Sequence, residues 1–377
     1  MPLDPFFAER LRVHRRYLIG QTLMAFRTRI ASWRALVWGK AAARARGDAG
    51  TTAARSTGAA AGTAAGRAGP AGGARSSGDA ARARHRRAAL AWDRKELDAI
   101  GTPGPSVRTT EHEVAVVGHP SVRVRIYHPR EADAPPVPGW LSFFGGAFRI
   151  GGIDYPTTDA ANRRRAVEAD VAIVAVDYSL APEHRFPTQV EQAHAALVWV
   201  HENAAALGID PDRLGVTGTS AGGAIAASLT LANRDRGNLP IRLQLLEVPV
   251  TDLTGRHIDL RATWALGIPS FIALRELRSV ARTYLRHPAD ARNPLASPLR
   301  APSHAGLPEA VILTAQYDPL RRDGALYAAR LRANGVAASA VQYLGVTHDI
   351  PMFTGALPAA RRWHRDVVAA LARLHEG

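Results

Sequence analysis

Gly218-Thr219-Ser220-Ala221-Gly222 sets a serine between two glycines, after the apolar run 213–217 and before an alanine-rich stretch. A strand-to-helix turn of this kind is so tight that only small residues fit beside the serine. It leaves the hydroxyl exposed at the top of a sheet. The chemistry it suits is nucleophilic attack on an acyl carbonyl, and the helix start offers N–H groups and a positive dipole end to a developing oxyanion. G-x-S-x-G alone is a weak signal. Its setting between a strand and a helix strengthens it.

A serine hydroxyl needs a base, and the base needs an orienting acid, in the chain order Ser, acid, His. The chain has 14 His, so residue type alone decides nothing. His348 lies in the segment 345–349, just after the last expected strand, where a base must hang to reach the serine. Asp318 lies in 315–320, at the end of the preceding expected strand, placed to hold the imidazole in the useful tautomer. Asp318 also suits a turn or helix cap before Pro319, and His348 a surface loop; Asp323 and Asp349 are weaker candidates for the acid. Oxyanion donors are expected from the backbone of Gly145-Gly146-Ala147 and from Ala221, although the glycines also fit an ordinary turn. Glu183 and His184, in a proline-bounded loop, read as loop anchors. No HExxH or other metal-ligand spacing, no P-loop and no Rossmann spacing occurs, so neither a metal nor a cofactor is expected.

The elements that must carry these residues begin near residue 90. Strands are expected at 111–117, 121–127, 140–144, 171–176, 213–217, 241–248, 310–314 and 339–343. Helical patterns lie at 90–100, 157–168, 188–206, 221–235, 323–334 and 357–374, and 253–295 carries no strand pattern. Strands alternating with helices imply an α/β fold with a mostly parallel sheet covered on both faces.

Charge divides the chain. The net charge is +15, but residues 1–90 carry 17 Lys and Arg against 4 Asp and Glu (+13), while residues 91–377 carry 31 against 29 (+2). The basic character belongs to the N-terminal extension and says little about the substrate of the rest. Within it, residues 1–40 have the spacing of a basic amphipathic helix, suited to an anionic membrane surface or to packing on the protein's own body. Residues 41–89 are nearly all Ala, Gly, Arg, Ser and Thr and read as a disordered linker without specific nucleic-acid binding. Cys is absent, which excludes disulfides, thiolate metal sites and a Cys nucleophile. No run reaches the roughly 18 apolar residues of a spanning helix, and a cytoplasmic location is expected.

From about residue 110 to 370 the motifs resemble those of the bacterial hormone-sensitive-lipase family of esterases. The segments that carry the likeness are DYSLAPEHRFP at 177–187, GTSAGG at 218–223, NPLASPL at 293–299 and GLPEAVILTAQYDPLRRDG at 306–324. The resemblance implies an α/β-hydrolase fold for 90–377 and hydrolysis of short- to medium-chain acyl esters through an acyl-enzyme. It also implies Ser220, Asp318 and His348 as triad, with Gly146, Ala147 and Ala221 as oxyanion donors and Gly145 adjacent. A helical cap is implied, built from 90–105 and 253–295. Two positions depart from the family. Phe144 stands where a His normally supports the oxyanion loop by hydrogen bonds, and Thr219 stands where the family has Asp. A non-catalytic ligand-binding protein on the same fold, or a related deacetylase or amidase, are the alternative readings.

Overall fold

The computed structural model describes residues 1–12 and 77–376. The chain divides into two units, one of 1–4 with 81–377 and one of 5–80. Of the second unit, residues 5–12 are helical, with Arg12 paired to Glu9 at 2.8 Å, and 77–80 open the first long helix. The rest of the expected 1–40 helix lies outside the described residues.

The first unit is built on eight strands: β1 (Arg108–Val114), β2 (Val122–His128), β3 (Val137–Phe143), β4 (Ala172–Val176), β5 (Ile209–Thr219), β6 (Ile241–Glu247), β7 (Glu309–Tyr317) and β8 (Ala338–Thr347). They form one sheet in the order β1-β2-β4-β3-β5-β6-β7-β8. β1 pairs with β2, and β2 with β4, antiparallel; every later pairing is parallel. β3 and β4 are buried at every residue. Helices on both faces leave a parallel strand no solvent side, so the strand reads as an unbroken apolar run. This is the α/β-hydrolase fold that the sequence implied.

The helices are α1 (Ser77–Ile100), α2 (Pro156–Ala169), α3 (Thr188–Leu207), α4 (Ala221–Arg236), α5 (Leu260–Ala265), α6 (Ser270–Tyr284), α7 (Arg321–Ala333) and α8 (Pro358–Ala372). Among the described residues none is long and apolar enough to cross a membrane. The core lies between sheet and helices, with Trp140 of β3 and Trp363 of α8 at or below 1% exposure.

Several strand bounds shift by three or four residues, and one segment changes its reading. The first strand starts three residues earlier and ends at Val114, because its register pairs Arg108 with His128 and leaves 115–121 to the turn. More importantly, residues 77–89 are helical, not linker. They carry no apolar run, but their arginines find distant partners. Arg82 and Arg86 pair with Glu183 at 3.0 and 2.6 Å, and Arg86 also donates to the carbonyls of Arg149 and Ala181. Glu183 thus anchors, as expected of its loop, and what it anchors is α1.

Candidate active site

β5 runs directly into Ser220, and α4 leaves at once. Ser220 sits at φ 56, ψ −114, a conformation that a non-glycine residue holds only when its surroundings over-determine it. Here they do. The Ser220 N–H donates to the Glu247 carbonyl at 2.8 Å, and the Ser220 carbonyl accepts from Ala224 (3.1 Å) and Val250 (3.3 Å). A Cβ on Gly222 would stand 2.1 Å from the Phe143 carbonyl oxygen, and one on Gly218 2.3 Å from that of Gly222. Only glycine fits either position.

His348 hangs on the turn after β8 and Asp318 follows β7, two strands that are neighbours in the sheet. His348 Nε2 lies 2.9 Å from Ser220 Oγ, and Nδ1 lies 2.8 Å from Asp318 Oδ2. The other oxygen of Asp318 accepts the Leu320 N–H at 2.8 Å, so one carboxylate shapes the turn before α7 and also orients the imidazole. Burial pulls the His348 pKa down, but the Asp318 carboxylate, by charge and hydrogen bond, outweighs it with help from the charge of Asp349. The pKa is pushed up to about 9. A neutral His348 that keeps its proton on Nδ1, against Asp318, presents a lone pair to the Ser220 hydroxyl.

Asp323 does not reach the imidazole. Its Oδ2 accepts the N–H groups of Thr251 (2.9 Å) and Asp252 (3.0 Å). Burial, the dominant cause, with the nearby Asp252 and Asp318 charges, pushes its pKa up to about 7. Asp349 lines the cavity beside His348 and contributes field only.

The loop after β3 runs along the nucleophile. A Cβ on Gly145 would lie 3.5 Å from that of Ser220. Ala147 and Phe148 are held at φ 53 and 60. Among the described residues no acceptor takes the N–H groups of Gly146, Ala147 or Ala221. The loop is fixed by aromatic stacking. Phe144 stacks on Tyr178 (centroids 4.1 Å apart, planes at 9°), and the Tyr178 hydroxyl donates to the Phe144 carbonyl at 2.7 Å. Phe148 stacks on Tyr284 of α6 at 3.8 Å, and its carbonyl accepts from Ala181 at 2.8 Å. The support that a His would give by hydrogen bonds comes instead from a ring face and a buried tyrosine hydroxyl.

Ser220, His348 and the loop open on a cavity of about 410 Å3. α1 supplies Ala89, Trp92 and Asp93 to its wall, and β3 and α2 supply Ser142, Asn162 and Arg165. Asp93 ties α1 to α2 by accepting the Thr157 N–H and hydroxyl at 2.9 and 2.6 Å. Among the described residues no group of His, Asp or Glu is arranged to hold a metal ion.

Residues 140–352, which include the elbow, the loop, Asp318 and His348, match the family model for the alpha/beta hydrolase fold. The chain belongs to the α/β-hydrolase family. Among its relatives, Esterase LipI of Mycobacterium tuberculosis is 38% identical over 67% of this chain and 79% of its own length. Carboxylesterase NlhH of the same organism is 36% identical over 74% and 88%. In three dimensions the chain resembles EstE1, a thermostable carboxylesterase cloned from a metagenomic library, with a TM-score of 0.71 and 36% identity over 78% of this chain and 97% of that one. The hormone-sensitive-lipase likeness read from the motifs holds.

In this hydrolase the structure brings together all seven site residues singled out in the sequence. It adds several that the sequence reading missed. Tyr178 and Tyr284 clamp the oxyanion loop, and the only signal for Tyr178 was its place at the head of the 177–187 motif. Glu247 lies within the expected strand 241–248 and was not singled out. It is fully buried, with its carboxylate taking Arg165 at 2.7 Å, the Trp363 indole N–H at 2.6 Å and the Thr219 hydroxyl at 3.3 Å. Its opposite, Thr219, is its register partner across β5 and β6.

Proposed function

We propose that this hydrolase cleaves short- to medium-chain carboxylic esters through an acyl-enzyme on Ser220. The observation that carries the reading is the unbroken relay from Asp318 Oδ2 through His348 to Ser220 Oγ, at 2.8 and 2.9 Å. The names of the relatives, esterase and carboxylesterase, agree with it.

In the first half-reaction Ser220 Oγ bonds to the acyl carbon while its proton passes to His348 Nε2. The carbonyl oxygen becomes an oxyanion held by the N–H groups of Gly146, Ala147 and Ala221. Such preorganised donors are worth roughly 100- to 1000-fold in rate each. Collapse breaks the ester C–O bond, and the departing alkoxide takes the proton from Nε2. In the second half a water gives its proton to Nε2 and attacks the acyl carbon, and Ser220 leaves with that proton restored. Asp318 stabilises the imidazolium in both halves. A cavity of about 410 Å3 between α1, α2 and the loop sets the acyl length.

The test is a p-nitrophenyl ester series from acetate to palmitate, run with the wild type and Ser220→Ala. Turnover should peak at short to medium chains and fall by roughly 10^5- to 10^6-fold in the variant. A folded wild type that turns over no chain length would overturn the reading. A cytoplasmic place of action, with weak surface contact through residues 1–40, belongs to the same proposal. Co-sedimentation of the full chain with anionic but not zwitterionic vesicles would support the contact, and equal sedimentation would exclude it.

A further inference from the structure

Under the nucleophile lies a charge pair that the ester-cleavage steps do not use. Glu247 has no solvent exposure, and Arg165, its partner, has a side chain 10% exposed. Two ions buried together persist only where geometry and further hydrogen bonds compensate their lost hydration. Glu247 meets that condition with three donors, from Arg165, Trp363 and Thr219. Arg165 does not meet it fully, since its Nε is buried without a partner among the described residues.

The two residues face different ways. The backbone carbonyl of Glu247 takes the Ser220 N–H at 2.8 Å, and its carboxylate takes the side chain of Thr219. It therefore grips the strained elbow on both sides of the Thr219–Ser220 peptide. Arg165 lies in the wall of the catalytic cavity, beside Asn162, whose Nδ2 is also buried without a partner among the described residues. Between them these groups give the inner wall a cation and an unpartnered amide donor, with the cation's charge cancelled from behind.

We propose that Glu247 is a positioning residue for the nucleophile and the charge mask of the cavity, so that the cavity accepts acyl groups without charge. The proposal rests on the ester-hydrolase reading and adds to it a substrate class. It also accounts for Thr219. Where the family places a carboxylate next to the nucleophile in sequence, this chain carries it on the neighbouring strand, in register, and a threonine hydroxyl makes the link. The neutral wall is a property of the pair. Removing the carboxylate alone leaves the cation of Arg165, whose side chain is only 10% exposed, to act on whatever enters.

The experiment compares two substrates of equal length, p-nitrophenyl hexanoate and the mono-p-nitrophenyl ester of adipic acid, which ends in a carboxylate. The wild type should favour the hexanoate. Glu247→Gln, nearly equal in shape, should lower kcat on the hexanoate about tenfold with KM held within about twofold, the pattern of lost positioning. It should also raise the kcat/KM ratio of adipate to hexanoate about tenfold, as one uncancelled charge near the acyl chain would. A merely structural glutamate would not move that ratio. The double variant Glu247→Gln/Arg165→Gln, with both charges gone, should return the ratio to near the wild-type value. Should Glu247→Gln fail to fold, Arg165→Gln reads the mask from the other side and should lower the ratio at least about threefold, while Thr219→Val reads the positioning through kcat. A ratio that stays put in a folded single variant, or an unchanged kcat in Glu247→Gln, overturns the inference. A wild type inactive on both esters overturns the ester-hydrolase reading instead.

Discussion

The nucleophile elbow and the oxyanion loop face one cavity, and they are held in different ways. The elbow is local. Gly218 and Gly222 leave the chain one path around Ser220, and within a few residues the strand has become α4. The loop is not local. Ala147 and Phe148 adopt left-handed conformations that their own sequence disfavours, and they stay there because Phe144 stacks on Tyr178 and Phe148 on Tyr284. Those partners lie 34 and 136 positions along the chain, by their numbering. The elbow can be altered only at the cost of the turn itself. The loop can change its residues as long as some distant group holds it.

The difference can be broken at graded strength. Asp318→Asn should have the largest effect, about 10^4-fold in kcat, because it removes the carboxylate that fixes the imidazole tautomer and stabilises its cation. It should also move the pH profile. The base works only when neutral, so wild-type kcat/KM should rise tenfold per pH unit up to the His348 pKa, pushed up to about 9 by Asp318, and then level. In Asp318→Asn that inflection should fall toward acid. An inflection that stays in place would show that another group sets it.

Gly222→Ala comes next. Its methyl would meet the Phe143 carbonyl at 2.1 Å, so the elbow must open. A loss of about 100-fold in kcat/KM is expected, with a lowered Tm in calorimetry. Tyr178→Phe keeps the stack on Phe144 and removes only the hydroxyl that meets its carbonyl at 2.7 Å. A buried carbonyl left unpaired costs about 1–3 kcal/mol, and roughly tenfold in kcat/KM should follow, with Tm slightly lower. If Gly222→Ala proved as mild as Tyr178→Phe, the contrast between a rigid elbow and a supported loop would collapse. Glu183→Gln should do least. Its pairs with Arg82 and Arg86 are about a third exposed, and such pairs contribute about 0–1 kcal/mol. The expected sign is faster proteolysis near residues 77–89, with kcat nearly unchanged.

The same contrast explains what the sequence disclosed. Ser220, Asp318 and His348 were legible because each sits at the end of an apolar strand, in a motif that is itself the local structure. The inner strands β3 and β4 were legible because burial on both faces writes an unbroken apolar run, whereas β8, at the sheet edge, is mostly exposed. Residues 77–89 were misread because the forces that order them are ionic and distant, Arg82 and Arg86 reaching a glutamate about 100 positions away. Glu247 was invisible for a related reason. A carboxylate at the end of a strand looks like a solvent-facing terminus until Arg165, Trp363 and Thr219 are seen to enclose it. Phe144 was the sharpest case. Sequence comparison marked it as a loss of support, and only the face of Tyr178 shows what took its place.

Phe144 also simplifies what the enzyme can tell an experimenter. A histidine in the oxyanion loop would place a second titrating imidazole in the site. Here, among the described residues, the cavity wall holds one, His348. The phenol of Tyr155, also in the wall, is pushed upward by burial, away from the range in which His348 loses its proton. Above the range near pH 7 in which the buried Asp323 titrates, the rate profile should therefore follow a single protonation, and its inflection can serve as an internal voltmeter for the field that Asp318 and Asp349 impose on the base.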